Sequence, residues 1–81
     1  MKQINKEVID ILVKNFGLDE GKVCSNQSLE SLGVDSIIVI EIQLDLERAF
    51  SITIEDGDIP ASFNLNDIVV YIKSKVDCYA A

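Results

Sequence analysis

Asp35 and Ser36 stand together in the segment LGVDSI (residues 32–37), between a glycine and a block of isoleucines. Asp and Ser side chains at a helix start accept hydrogen bonds from the unpaired N–H groups of the first turn, so the pair first predicts a helix cap. The sequence contains no histidine, which removes the usual general base and the Ser-His and Cys-His nucleophile pairs. We therefore assign no catalytic residue and do not expect a stand-alone enzyme.

The cysteines offer no clearer chemistry. Cys24 and Cys78 lie far apart in sequence, and neither belongs to a Cys-x-x-Cys spacing, so we predict neither a metal site nor a redox motif. We interpret both as reduced thiols. A thiol enzyme built on Cys24 would need a base that the sequence does not obviously supply.

The composition indicates one small globular domain over residues 1–81, with 48% hydrophobic and 26% charged residues and no linker-like run. The net charge of −7 predicts repulsion from nucleic acids and anionic membranes and attraction to basic protein surfaces. No apolar run approaches the roughly 18 residues of a membrane span, and charges interrupt the N-terminus too early for a signal peptide. We expect a cytoplasmic location.

Apolar residues at helical spacing predict three main helices. The first runs from about Lys2 to Phe16 and is ended by Gly17. The second runs from Ser36 to Phe50, and the third runs from Leu65 to about Val76 behind an Asn64 cap. The fold class is all-α, a small antiparallel bundle of three main helices plus a short one.

The remaining segments show no sustained helical period. Residues 17–35 predict a long first loop, held to the core by Val23, Leu29 and Leu32, and a loop of that length suggests function. The segment FSITIE (residues 50–55) alternates like a strand but has no partner, so we interpret it as an extended connector. A short helical turn is expected near Asp58 to Phe63.

The second helix has two apolar faces. The first face is the predicted core stripe, which consists of Val39, Ile42, Leu46 and Phe50 with Ala49 at its edge. On nearly the opposite side lie the three residues that we call the apolar stripe: Ile37, Ile40 and Leu44. Glu41, Glu47 and Arg48 flank it. Such a charged border around an apolar stripe is typical of a docking surface. A helix buried on both sides and a homodimer through this helix are the alternatives.

The motif LGVDSI, continued by IVIEIQLDLERAF and ITIED and ending in NLNDIVVYI, resembles the acyl carrier proteins and related phosphopantetheine-dependent carrier domains. The resemblance covers essentially the whole chain. It implies a non-catalytic carrier whose Ser36 receives 4′-phosphopantetheine from coenzyme A, through a separate transferase. We expect the carrier to be a monomer. Acyl groups then travel as thioesters on the terminal thiol.

Physical arguments agree with these roles. A helix start exposes the Ser36 hydroxyl, while nearby N–H groups and the positive dipole end favour a phosphodiester. Gly33 permits a sharp turn before the helix, and Asp35 caps it and adds negative charge.

The resemblance also implies a set of partners. These are a phosphopantetheinyl transferase, an enzyme that loads acyl or aminoacyl groups, and synthase, condensing or tailoring enzymes. We expect such partners to present basic residues around an apolar groove. The predicted docking residues are Ile37, Ile40, Glu41, Leu44, Glu47 and Arg48.

Two residues depart from the pattern of carriers in ordinary fatty acid synthesis. These usually have an acidic residue two places after the serine and an almost wholly acidic recognition helix, where this chain has Ile38 and Arg48. We therefore favour polyketide or mixed polyketide and nonribosomal peptide biosynthesis. A peptidyl or aminoacyl carrier and a fatty acid synthesis carrier are alternatives, and a helical adaptor without a prosthetic group is the alternative of a different class.

Overall fold

The computed structural model describes residues 3–55 and 57–79, with side chains as far as Val76. These residues contain four α-helices. The helices are α1 (Ile4–Asp10), α2 (Glu20–Cys24), α3 (Ser36–Phe50) and α4 (Leu65–Tyr79). The residues described contain no strand. The predicted helical bundle is confirmed, with three main helices and a short one.

The hydrophobic core lies where the three long helices meet. α1 packs against α4, and the segment that follows α1 packs against α3. Fully buried side chains come from each long helix and include Val8, Ile42, Leu46, Ile68 and Ile72. The predicted core stripe of α3 is confirmed: Val39, Ile42 and Leu46 are buried, while Ala49 and Phe50 pack against the core from its margin.

The first helix differs from the prediction in its bounds and its geometry. α1 begins at Ile4, and Lys2 lies outside the described residues. After Asp10 the helix continues as a π-helical segment, Ile11–Asn15, before Gly17 ends it at a φ of +68°. The π segment is only five residues long, about one turn, so apolar spacing does not distinguish it from a continued α-helix.

The first loop contains a helix that the sequence did not predict. α2 is five residues long and begins after Asp19, whose carboxylate accepts from the Gly21 N–H at 3.0 Å. It contributes one buried residue, Val23, which is too few to produce a visible period. The predicted core anchors are otherwise found as expected, with Leu29 buried and Leu32 half-buried.

The prediction of a short helical turn near Asp58 to Phe63 was wrong. That part of the chain consists of separate turns, closed by hydrogen bonds from the Asp58 N–H to the Glu55 carbonyl and from the Phe63 N–H to the Pro60 carbonyl, both at 3.0 Å. The connector before it is non-helical as predicted over residues 52–55, with Ile52 and Ile54 buried, whereas Phe50 ends α3 and Ser51 is its left-handed C-cap. No helix forms because each turn bond stands alone instead of repeating along the chain.

The last helix has the predicted cap. The Asp67 N–H donates to Asn64 Oδ1 at 2.9 Å, and the Asn64 N–H donates to Asp67 Oδ2 at 3.2 Å. These reciprocal bonds form a capping box. α4 ends at Tyr79 and is thus three residues longer than predicted.

A side-chain hydrogen bond joins α4 to the turns after the connector. The Tyr71 hydroxyl donates to Asp58 Oδ2 at 2.7 Å in a partly buried position. Burial raises the pKa of Tyr71 above its ordinary range, and the hydrogen bond and negative charge of Asp58 add to that effect.

Tyr71→Phe is expected to lower the free energy of unfolding by about 1 kcal/mol at neutral pH, because it removes this hydrogen bond and leaves Asp58 without its donor. The folded-state pKa is raised, so the contribution of Tyr71 is complete below about pH 10, the unfolded value, and declines as pH rises further. Urea denaturation at pH 7 and above pH 10 measures both effects. In an Asp58→Ala background the same change should cost much less, and equal costs in both backgrounds would contradict this assignment.

Candidate functional site

Ser36 is the first residue of α3, and its side chain is exposed. The cap of this helix is the preceding residue, because Asp35 Oδ1 accepts from the Ile38 N–H at 2.9 Å. The Ser36 hydroxyl makes no hydrogen bond to the residues that the structure describes. It is therefore available for a reaction without loss of the cap.

A sharp turn precedes the site and presents it. Gly33 has a φ of +84°, which side-chain-bearing residues rarely adopt. Its N–H donates to the Glu30 carbonyl at 3.1 Å, and the Val34 N–H donates to the Leu29 carbonyl at 3.1 Å. Because Leu29 and Val34 are buried, the turn is anchored to the core and Asp35 and Ser36 emerge at the surface.

The start of α3 can accept an anion. The backbone N–H groups of Ser36 and Ile37 make no backbone hydrogen bond among the residues described, whereas the Val39 N–H donates to the Asp35 carbonyl. Unpaired N–H groups and the positive dipole end both favour a phosphate group at this position. The exposed hydroxyl and these donors therefore fit a phosphodiester on Ser36.

The apolar stripe on α3 is exposed in the structure. The exposed fractions are 66% for Ile37, 52% for Ile40 and 50% for Leu44. Helical geometry places Glu41 and Arg48 on one side of the stripe and Glu47 on the other. Glu41 and Arg48 are exposed, whereas Glu47 is half-buried.

Arg48 belongs to a polar cluster that sequence analysis missed. Its guanidinium donates to Asp45 Oδ1, and Asn15 Nδ2 donates to Asp45 Oδ2 at 3.1 Å. This cluster ties the end of the π-helical segment to α3. Because the Arg48 charge offsets that of Asp45, the negative charge that the helix presents beside the stripe is carried by Glu41 on one side and Glu47 on the other.

An apolar groove of about 340 Å³ runs from Ser36 along α3. One wall is formed by α3 residues Ser36, Val39, Ile40 and Gln43, and the other by residues of the segment 57–61. Backbone bonds hold this second wall to the first loop, with the Glu30 N–H donating to the Ala61 carbonyl at 2.9 Å. The groove was not predicted, because its walls come from segments separated in sequence.

Gln43 is a buried polar residue of this groove that sequence analysis also missed. Its side-chain amide donates to the Ile54 carbonyl at 3.2 Å. The bond ties α3 to the connector that leads into the second wall. Helical spacing places Gln43 between the core stripe and the apolar stripe, a position that sequence alone does not identify as buried.

The other candidate chemistry finds no support in the geometry. Among the described residues, no group of three or more His, Cys, Asp or Glu side chains is arranged to hold a metal ion. Cys24 is a free, exposed thiol, and the Cys78 side chain lies outside the described part of the structure. No helix in that part is long and apolar enough to cross a membrane.

Comparisons with known proteins agree with this geometry. The family model described as the phosphopantetheine attachment site matches residues 6–72. A protein named acyl carrier protein from an Exiguobacterium species is 36% identical over 76 residues, covering 93% of this chain and 96% of the relative. Acyl carrier proteins from Thermotoga maritima and Exiguobacterium sibiricum are 30% and 33% identical, and the match covers 93% of this chain in both cases and 94% and 96% of those relatives.

Proposed function

We propose, on the premise that this chain belongs to the acyl carrier proteins with their phosphopantetheine attachment site, that Ser36 is the attachment residue. Proteins of this family are carriers and not enzymes. The prosthetic group supplies a terminal thiol on which an acyl group is held as a thioester. The observation that carries the proposal is the exposed Ser36 hydroxyl at the start of α3, beside a cap made by a different residue.

Ser36 acts as the acceptor in the attachment reaction. Its hydroxyl oxygen attacks the phosphorus of coenzyme A that bears the pantetheine, and the bond from that phosphorus to the nucleotide breaks. 3′,5′-ADP leaves, and a base of the phosphopantetheinyl transferase takes the hydroxyl proton. The N–H groups of Ser36 and Ile37 and the helix dipole stabilise the phosphodiester formed.

Asp35 and Gly33 are positioning residues in this proposal. Asp35 holds the first turn of α3 through its bond to the Ile38 N–H, and Gly33 supplies the backbone turn that brings the serine to the surface. Neither residue needs to react. Their role is to keep the hydroxyl accessible to a transferase.

Partner enzymes dock on α3, next to Ser36. Ile37, Ile40 and Leu44 are half or more exposed. A partner that covers these apolar side chains removes them from water, which stabilises the complex. Glu41 and Glu47 favour a basic rim on the partner, while Arg48 favours an acidic group at the far end. The transferase, a loading enzyme and condensing or tailoring enzymes would share this surface.

The direct test is the intact mass of the chain after incubation with coenzyme A and a broad-specificity phosphopantetheinyl transferase. The expected result is a gain of one phosphopantetheinyl group, and peptide mapping should place it on Ser36. A chain that folds but gains no mass would instead be a helical adaptor that uses the same apolar stripe.

For the pathway, we propose polyketide or mixed polyketide and peptide biosynthesis. Ile38 supports this proposal, because it places an apolar group in the first turn of α3 where a housekeeping partner would pair with a carboxylate. Replacing a paired charge with an apolar group disfavours such partners. Ile38 is half-buried against the margin of the core. An experiment must therefore separate a role in packing from a role in partner choice.

Ile38→Asp is expected to improve processing of the loaded carrier by fatty acid synthase enzymes, with only a modest loss of stability. The loss should be about 1–2 kcal/mol, because Ile38 is half-buried and an acid in the first helical turn interacts favourably with the dipole. Rates with these enzymes and the melting temperature are measured on the same protein.

Ile38→Asn is the matched control, since it removes the apolar group without adding charge. It should lose similar stability but gain no activity with fatty acid synthase enzymes. A large stability loss in Ile38→Asp with no gain in processing would assign Ile38 to packing alone.

A further inference from the structure

The apolar groove beside Ser36 contains one feature that packing alone does not require. Gln43 is 4% exposed, and among the described side chains it is the only polar one that is buried. It lines the same groove as Ser36. Two helical turns separate the two residues, which is about 10 Å along the axis of α3.

The Gln43 amide has more hydrogen-bonding capacity than the fold uses. A glutamine side chain carries two N–H donors and a carbonyl oxygen that accepts. Within the described residues its side chain makes one hydrogen bond, through Nε2 to the Ile54 carbonyl. A second donor and the carbonyl oxygen of this groove-lining residue therefore remain without a partner among the described residues.

Apart from Ser36, the other lining residues are apolar, so the groove of about 340 Å³ suits a hydrocarbon chain. Val39 and Ile59 are buried at its base, and Ile40 and Pro60 form part of its rim. A plain alkyl chain laid along this groove would remove water from the Gln43 amide without replacing its hydrogen bonds, which is unfavourable. A chain with a hydroxyl near Gln43 would satisfy both the remaining donor and the remaining acceptor.

We propose that Gln43 is a specificity-determining residue for the cargo, and that the groove favours acyl chains bearing a hydroxyl group over saturated chains of the same length. The inference rests on the proposed attachment at Ser36, because the cargo reaches the groove on the arm that this residue carries. It assigns a cargo class to the groove, namely hydroxyacyl groups.

The test compares carriers loaded with octanoyl, 3-hydroxyoctanoyl or 5-hydroxyoctanoyl groups from the corresponding coenzyme A thioesters. Intact mass first establishes that each group is attached. The melting temperature of each loaded form is then measured, together with the amide chemical shifts of Val39, Gln43 and Ile59. In the wild-type protein at least one hydroxylated chain should raise the melting temperature on the order of 5 °C more than octanoyl does.

Gln43→Leu should reverse this order, so that octanoyl stabilises the carrier more than either hydroxylated chain. Gln43→Met has a side chain of similar length and serves if the leucine variant fails to fold. Gln27→Leu makes the same replacement at an exposed position and should leave the wild-type order unchanged.

The outcomes separate the two proposals. If mass spectrometry shows no attachment, the assignment of Ser36 fails. If attachment occurs but Gln43→Leu shifts the unloaded and all loaded forms equally, then Gln43 only ties α3 to Ile54, and the cargo preference is overturned. Equal melting temperatures and unchanged groove shifts for all three wild-type loaded forms would also overturn it.

Discussion

Ser36→Ala is expected to abolish phosphopantetheinylation and leave the fold intact. The hydroxyl oxygen is the acceptor in the proposed reaction, and alanine offers no replacement. The cap bond runs from the Ile38 N–H to Asp35, so it survives the change. Because the side chain is exposed and makes no hydrogen bond to the residues that the structure describes, the free energy of unfolding should change by no more than about 0.5 kcal/mol.

Intact mass after incubation with coenzyme A and the transferase measures the effect, and circular dichroism with thermal unfolding verifies the fold. Ser74→Ala is the matched control, because Ser74 is also an exposed helical serine but lies on α4. It should be modified to the wild-type extent. Modification of Ser36→Ala to that same extent would refute the assignment.

Glu41→Lys is expected to slow association with the transferase about ten-fold at low salt. Glu41 is exposed beside the apolar stripe, and Arg48 already offsets Asp45, so the reversal removes a main negative charge of the docking surface. Charge steering acts on the association rate and weakens as salt screens it. Added salt should therefore slow the wild-type protein more than the variant, with little change in dissociation.

Stopped-flow binding at several salt concentrations provides the rates. Glu20→Lys changes the net charge of the chain equally but lies on α2, so its effect should be much smaller. Glu47→Lys, on the other side of the stripe and half-buried, should show the same direction as Glu41→Lys. If Glu41→Lys and Glu20→Lys slowed association equally, then net charge and not the α3 surface would control binding.

Local patterns were sufficient for much of the candidate site. The start of α3 at Ser36, the cap by Asp35 and the turn at Gly33 all depend on residues within a few positions of one another. The exposed stripe on α3 was also predictable, because helical period assigns each residue to a face once the core face is known. These features followed from neighbours in the chain.

The same reasoning failed where the spacing of apolar residues does not indicate the local structure. The helix α2 has a single buried residue, and the π-helical segment Ile11–Asn15 is about one turn long, which is too short for its apolar spacing to differ visibly from that of an α-helix. The turns near Asp58 to Phe63 were predicted as a helical turn because their composition alone does not show whether one turn bond will be followed by another.

The sequence established a helical carrier fold with Asp35 and Ser36 at the start of a helix that carries an exposed apolar stripe, since caps, turns and helical faces are set over a few residues. Packing established the rest. The hydrogen bonds of Gln43 to Ile54, of Asn15 to Asp45 and of Tyr71 to Asp58 join residues 11, 30 and 13 positions apart. The two walls of the groove also come from segments that are distant in sequence, α3 and residues 57–61. Contacts of this kind exist only once the helices have packed, because no local preference of either residue specifies its partner.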